Sequence, residues 1–296
     1  MIKTTAEIQQ YVSVDINFQQ KSLLPYIEQS KTQIIRLLGK EQYNELENWY
    51  NLAEGETQPG NAAELEVLLP YVQRPIANFA IFYGLSALNV VVGPTGIGVV
   101  NTQNLAPASK DRTDTLRNDL IAAAYDAMES LLVFLEENKE DYPLWENSEA
   151  YSEQYDVLIT SARRFDEIYR IDRSRLKYLE WRPVMRDVEL LEMAPLVSSD
   201  LMDEIKGELK DNAVSNENQI VLPYLQKALA YITASRANKD EKLYTDGMRF
   251  LMAAKAILDT NVDSYPAYRD SGVWKSPEKA YKRYENTEES KFFVIG

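Results

Sequence analysis

The chain of 296 residues contains no cysteine and no histidine. Without cysteine there is no disulfide, no thiolate nucleophile and no cysteine-ligated metal. Without histidine the chain lacks the commonest general base and metal ligand, which excludes Ser-His-Asp triads and two-histidine zinc sites. We therefore expect no cofactor, no metal centre and no enzymatic activity. Any enzyme built on this sequence would have to rely on carboxylates, lysine or tyrosine.

Basic residues are also in deficit, with 32 Lys and Arg against 46 Asp and Glu and a net charge of −14. Nucleic-acid binding requires a local excess of Lys and Arg, because affinity comes mainly from neutralising phosphates and releasing their counterions. Specific duplex binding is therefore not expected. An acidic surface keeps a protein soluble, and it could also line a channel through which DNA slides without being held.

Long apolar runs are missing as well. The longest run, Ala87 to Val100, is interrupted by Asn89, Pro94 and glycines, so it is too short and too broken to span a bilayer. The segment from Met1 to Thr4 lacks the apolar stretch of a signal peptide. These features predict a soluble protein without membrane association.

The chain does contain an internal repeat. Leu69-Pro70-Tyr71-Val72-Gln73 returns as Leu222-Pro223-Tyr224-Leu225-Gln226, an offset of 153 residues between the two tyrosines. Asn138 with Tyr142-Pro143 returns as Asn261 with Tyr265-Pro266, an offset of 123 residues. The difference between these offsets indicates that the first copy carries about thirty extra residues between the two landmarks.

Helical periodicity dominates both copies. Apolar residues recur at steps of three and four from Glu64 to Leu88 and from Leu116 to Leu135, which predicts long amphipathic helices. Asn138 suits a left-handed cap at the end of the second of these, and Pro143 prevents the helix from resuming. The length suits two domains.

We therefore predict a mainly all-α protein made of two tandem helical bundles from an internal duplication, with a β-hairpin-like insertion in the first copy. The predicted parts are a first repeat at residues 1–150 with an inserted arm at 89–114, a second repeat at 151–274, and a C-terminal extension at 275–296.

The inserted arm is the first candidate site. Two β-branched runs flank a Pro94-Thr95-Gly96 turn, a pattern typical of a β-hairpin. An apolar hairpin that protrudes from a helical body tends to aggregate unless another surface covers it. We predict a contact with another subunit, and the other interpretation is that the hairpin folds back over its own core. The residues assigned to this interface are Val90, Val91, Val92, Gly93, Pro94, Gly96, Ile97, Val99 and Val100.

The apolar end of the chain is the second candidate site. Phe292, Phe293, Val294 and Ile295 follow a charged segment from Lys275 to Lys291. Four apolar side chains in a row predict a pocket that receives them, on the same chain or on another, and we favour another chain. Close acidic residues such as Glu136-Glu137 and Asp203-Glu204 are expected on solvated helix faces in a chain this acidic, so we predict no catalytic residues.

Several segments resemble phage proteins. The segment from Ile2 to Ile8, the helix end at Leu37-Leu38-Gly39, and Leu69-Pro70-Tyr71 resemble small helical head–tail connector proteins of tailed bacteriophages. Phe165 to Ile168, Ser174-Arg175, and Glu136 to Ser148 are similar to an uncharacterised domain family common in phages and prophages of Bacteroidetes.

This resemblance implies a structural virion protein of the neck between capsid and tail, assembled in the host cytoplasm. It would form a closed homo-oligomeric ring, twelvefold to match the portal, and would dock on the portal beside other neck or tail proteins. DNA would pass through the ring without specific binding. Connectors of this kind grip the portal or neighbouring subunits with a tail and a long loop, roles that would fall on Phe292 to Ile295 and Val90 to Val100. Two alternatives remain, a helical protein- or glycan-binding module with no virion role and a carboxylate-dependent enzyme.

Overall fold

A computed structural model describes residues 1–14, 20–88, 90–93, 96–99 and 109–275. The described chain is helical apart from one two-stranded hairpin, which confirms the predicted mainly all-α class. In chain order the helices and strands are α1 (Thr5–Gln9), α2 (Leu24–Leu38), α3 (Lys40–Tyr50), α4 (Ala62–Leu88), β1 (Val90–Gly93), β2 (Gly96–Val99), α5 (Lys110–Glu137), α6 (Pro143–Glu146), α7 (Glu149–Ser152), α8 (Ala162–Ile168), α9 (Arg175–Val188), α10 (Ala194–Val197), α11 (Ser199–Lys210), α12 (Asn216–Asn238), α13 (Glu241–Thr260) and α14 (Pro266–Arg269). Short 3-10 turns precede α2, α6, α8 and α14, and a π-turn at Glu189–Met193 joins α9 to α10.

The chain forms two compact units, Met1–Pro183 and Val184–Gly296, which divide inside α9. A compact unit is defined by spatial contacts, whereas a repeat is defined by equivalent positions. The repeat boundary at residue 150 therefore stays a prediction, and the start of the second repeat belongs to the first compact unit.

The core of the first unit lies between α2, α4 and α5. Helix α4 contributes Leu68, Val72, Ile76 and Phe79, all fully buried and spaced by four, four and three residues. Burying each of these side chains stabilises the fold by roughly 1.5–3 kcal/mol relative to leaving it exposed. The periodicity that predicted α4 is thus the periodicity of its buried face.

The second unit repeats this arrangement with α12 packed on α13. Its fully buried residues Val221, Leu225, Leu229 and Ile232 stand 153 residues after the four buried residues of α4. Gly247 of α13 allows the two helices to approach closely, because a Cβ there would lie 2.6 Å from Cγ1 of Ile232. The internal duplication is therefore present in the packing as well as in the sequence.

The ends of α5 and α13 share one capping geometry. Asn138 has φ −125° and ψ 31°, and Asn261 has φ −118° and ψ 37°. Each side-chain amide donates to the carbonyl four residues back, at 2.8 Å to Phe134 and 3.0 Å to Ile257. The predicted left-handed conformation of Asn138 is wrong. The backbone N–H and the side-chain amide of Asn138 both donate to the carbonyl of Phe134, so the helix ends without a left-handed residue.

The tyrosines that follow these caps also have equivalent roles. The hydroxyl of Tyr142 donates to the carbonyl of Glu64 at 2.9 Å, and the hydroxyl of Tyr265 donates to that of Glu217 at 2.8 Å. In each repeat this bond ties the residue before a short helix to the first turn of the long helix. The tyrosine of the Asn…Tyr-Pro motif therefore fixes the short helix that follows it to the start of the long helix in each repeat.

In the second repeat, α9 and α10 together correspond to α2. A π-turn between α9 and α10 accounts for the difference of one residue between the two repeats in this region. Pro25 and Pro183 are 158 residues apart, whereas Gly39 and Ser198, which share a positive-φ joint, are 159 residues apart. The extra residue of the second repeat is accommodated at Glu189–Met193, where the N–H of Ala194 bonds to the carbonyl of Glu189 five residues back. Inserting one residue into a helix commonly produces such a bulge.

Gly39 gives a first testable prediction. Its φ of 77° disfavours any side chain, and a Cβ there would lie 2.9 Å from Cβ of Ser148. We expect Gly39→Ala to lower the unfolding free energy by about 1–3 kcal/mol, measured by urea denaturation. Gly55→Ala is the control, because Gly55 also has positive φ (92°) but has no atom within 4 Å of the added carbon. Equal losses in the two variants would contradict a role for the Ser148 contact.

Candidate interaction surfaces

The backbone of the predicted hairpin is confirmed. Strand β1 pairs antiparallel with β2, and the register places Val90 opposite Val99 and Gly93 opposite Gly96. Only residues 94 and 95 separate the strands in the sequence, as in a two-residue hairpin connection. An isolated two-stranded hairpin is at best marginally stable in water, so this one requires support from another surface.

Both helices that flank the hairpin are longer than their counterparts in the second repeat. Helix α12 ends at Asn238, which is equivalent to position 85, whereas α4 continues to Leu88. Helix α13 begins at Glu241, equivalent to position 118, whereas α5 begins at Lys110. The predicted arm at 89–114 therefore ends inside α5, whose first turn is capped by Ser109. Of the insertion outside the hairpin strands, residues 89, 94, 95 and 100–108 lie outside the described residues.

The remaining predicted interface residues are not placed. Pro94 and Val100 lie outside the described residues, as do Phe292, Phe293, Val294 and Ile295. Their assignment to a subunit or portal contact stays a prediction.

A cleft of about 640 Å³ lies in the first unit between α4, α5 and the segment that leads into α9. On one side Tyr71 stacks on Phe134, with ring centroids 4.2 Å apart and planes 14° apart. Arg74, Arg163 and Arg173 line the cleft together with acidic side chains of α5. The cleft therefore offers an aromatic surface beside charges of both signs.

The loop that carries Arg173 into this cleft is held by Asp166. One carboxylate oxygen, Oδ1 of Asp166, accepts from the N–H of Ile171 at 2.7 Å and of Arg173 at 3.2 Å. Although burial raises the pKa of Asp166, these backbone donors outweigh it and the net shift is downward. Asp172 and Arg173 adopt left-handed φ values of 58° and 53°, so the loop depends on this carboxylate for its shape.

A buried ion pair joins α5 to the starts of α8 and α9. Glu129 Oε2 accepts from Arg175 Nη1 at 2.8 Å, and the two side chains are only 11% and 6% exposed. The other oxygen of Glu129 accepts from the backbone N–H of Arg163 at 3.1 Å. Further along α5, burial raises the pKa of Glu136. Charged groups in this region are thus used to fix the packing of helices.

The acidic residues considered for catalysis are engaged elsewhere. Asp203 lies 3.7 Å from Lys206, and Glu204 accepts from Asn218 at 3.0 Å. Ser130 of the cleft donates its hydroxyl to the carbonyl of Asp126, which is the usual bond of a helical serine. In the described part of the chain, no group of three or more acidic residues is placed to hold a metal ion. The geometry favours binding through stacking and ion pairs.

One exposed surface was not predicted from the sequence. Val67 and Tyr71 of α4 are 54% and 37% exposed, and their equivalents Ile220 and Tyr224 of α12 are 59% and 38% exposed. We define the repeated stripe as these residues with the charged residues that flank them, namely Glu64, Val67, Tyr71 and Arg74 in α4 and Glu217, Ile220, Tyr224 and Lys227 in α12. The repeated Leu-Pro-Tyr motif includes the stripe tyrosines Tyr71 and Tyr224, but in the sequence it indicated only the duplication.

Together the fold and these surfaces define a duplicated helical-bundle protein with an inserted hairpin. The chain belongs to the Family of unknown function (DUF6712), which matches residues 34–155 and 193–243. The second matched segment begins 159 residues after the first, the offset that also separates Gly39 from Ser198. No curated protein and no solved structure matches the chain. Among the helices of the described residues, none has the length and apolar character needed to cross a membrane.

Proposed function

We propose that this chain is a structural virion protein of the phage head–tail neck, forming a ring that docks on the portal and continues the DNA channel. The observation that carries the proposal is the hairpin, which occurs in one repeat only and is flanked by two helices that extend beyond their counterparts. An element that is present in one repeat and absent from the other suits a contact with a neighbouring molecule. Closing a ring requires head-to-tail contacts between different surfaces of each subunit.

The acidic composition also supports this role. A net charge of −14 disfavours tight binding to the phosphates of DNA, which suits a channel through which DNA must move. The resemblance of several segments to connector proteins provides the biological context.

Virion composition tests the proposal. Purified tailed particles encoded by a genome that carries this gene should contain the chain at a fixed ratio to the portal, measured by quantitative mass spectrometry. Immunogold electron microscopy should place it at the neck. Absence of the chain from mature particles would refute the virion role.

A hairpin variant tests the proposed contact. Replacing residues 90–99 with a short Gly-Ser linker should abolish incorporation into particles while preserving the helical circular dichroism spectrum. Replacing the exposed loop at residues 54–57 is the matched control and should leave incorporation unchanged. Normal incorporation of the hairpin variant would contradict the assigned role.

The alternative function is a helical protein- or glycan-binding module, and the cleft favours it. Sugars and peptides both stack on aromatic faces and bind charged side chains. Glycan and peptide arrays probed with the purified protein test this function. A ligand whose binding is lost in Arg163→Glu and Arg173→Glu variants, with no virion association, would favour the module.

A further inference from the structure

The repeated stripe has the spacing of a helix-packing face. Its four positions in α4, Glu64, Val67, Tyr71 and Arg74, are separated by three, four and three residues. Residues at this spacing lie on one side of an α-helix and form the seam of paired helices. Helix α12 presents the same spacing at equivalent positions, so each chain carries two such faces.

The apolar part of the stripe is exposed to the same degree in both repeats. The exposed fractions differ by five percentage points between Val67 and Ile220 and by one between Tyr71 and Tyr224. Pro70 and Pro223 extend the exposed surface by one position in each helix. Clusters of exposed apolar side chains with charged neighbours are typical of protein interaction sites.

The charges on the stripe determine which partner orientation fits. Each stripe begins with an acidic residue, Glu64 or Glu217, and ends with a basic one, Arg74 or Lys227. Two stripes that meet in the same direction would place like charges together. When they meet in opposite directions, each acid faces a base and the apolar positions face each other. The stripe is therefore complementary to a second stripe in antiparallel orientation.

We propose that the stripe of α4 in one copy of the chain packs antiparallel on the stripe of α12 in a second copy. Arg74 then faces Glu217 of the second copy, and Glu64 faces its Lys227. Because the two surfaces are different, the contact leaves one free stripe at each end and continues head to tail until a ring closes. Contact between two α4 stripes would instead give a dimer in which both α12 stripes remain exposed.

This inference deepens the proposed function by naming the subunit contact of the ring, and it rests on that function only for ring closure. The stripe contact is separate from the proposed hairpin contact, because the stripe occurs in both repeats whereas the hairpin occurs in one. Arg74 and Glu217 are exposed in the structure, so replacing these two residues tests association with little disturbance of the core.

A charge exchange between the two stripes provides the test. Arg74→Glu or Glu217→Lys alone should raise the dissociation constant for self-association about tenfold or more, because each places like charges face to face. The double variant regenerates the ion pair with reversed polarity and should restore most of the affinity. Native mass spectrometry and sedimentation velocity, run over a range of protein concentrations, measure these changes. Thermal melts establish that each variant is folded.

Met252→Glu is the matched control, because Met252 is 51% exposed and lies outside the stripe; this variant should associate normally. An unchanged assembly in Glu217→Lys would overturn the proposal, since a contact between two α4 stripes does not involve that residue. A double variant no better than the single ones would also overturn it, as would a wild-type protein that stays monomeric. If the exchange restores assembly but particles lack the chain, the contact stands and the virion role fails. If particles contain the chain but the charge exchange does not restore assembly, the proposed contact is refuted and the virion role stands.

Discussion

Replacing Trp145 with alanine is expected to lower the unfolding free energy by about 3–5 kcal/mol. The indole is fully buried and packs edge-to-face on Tyr151 with ring centroids 4.8 Å apart. Its Nε1 donates to the carbonyl of Leu37 at 3.0 Å. The substitution therefore leaves both a cavity and an unpaired carbonyl near the end of α2. Urea denaturation followed by circular dichroism measures the loss.

A second substitution separates these two contributions. Trp145→Phe keeps most of the apolar volume and removes only the donor, so we expect a loss of about 1–3 kcal/mol from the unpaired carbonyl. Trp49→Ala serves as a control, because the Trp49 indole bonds to Gln58 in an exposed setting and less apolar surface is lost. A Trp145→Ala variant as stable as Trp49→Ala would show that the indole does not hold α6 against α2.

Local chemistry made part of the fold predictable. Thr4 and Glu7 have the spacing of a capping box, and in the structure Oγ1 of Thr4 accepts from the N–H of Glu7 at 3.3 Å while the carboxylate of Glu7 accepts from the N–H of Thr4 at 2.8 Å. The β-branched runs around residues 94 and 95 predicted the hairpin, because strand and turn preferences act over a few residues. The apolar periodicity of α4 and α5 likewise depends on neighbours along one helix.

The π-turn was not predictable, because helical periodicity assumes a constant rotation per residue. Leu190 and Leu191 would be placed in the core by their hydrophobicity, yet they are 68% and 61% exposed. The bulge shifts the register so that Glu189 is buried instead, with its carboxylate 2.7 Å from Lys206. A carboxylate that is buried because a distant lysine reaches it leaves no local signal in the sequence.

Among the candidate surfaces, those built from neighbouring residues were also predictable and those built from distant residues were not. The hairpin is built from ten consecutive residues and was predicted from them. The cleft brings Tyr71, Phe134 and Arg173 together from segments separated by long stretches of chain, so no sequence spacing indicates it. In the stripe, Val67 is exposed while its neighbour Leu68 is fully buried, and both are apolar. The sequence alone does not distinguish which of two adjacent apolar residues faces the core.

The buried ion pair between Glu129 and Arg175 provides the second large effect. Glu129→Ala or Arg175→Ala is expected to cost about 3–5 kcal/mol, because each leaves an uncompensated charge in the interior. Loss of Glu129 also removes the acceptor for the N–H of Arg163 at the start of α8. Nε of Arg175 has no hydrogen-bond partner in the described structure, so the guanidinium depends strongly on this carboxylate. Urea denaturation of the single variants measures both losses.

The double variant Glu129→Met with Arg175→Met should lose less stability than either of these methionine substitutions made alone. Two apolar side chains avoid the desolvation of two charges, and that cost can equal or exceed the attraction between them. The exposed ion pair of Arg163 with Glu167, 58% and 63% exposed, is the control, and Glu167→Ala should change stability by about 1 kcal/mol or less. Additive losses in the double variant would mean that the two charges are not coupled. A coupled pair would instead show that packing of α5 against α8 and α9, which shapes the cleft, depends on charges meeting inside the first unit.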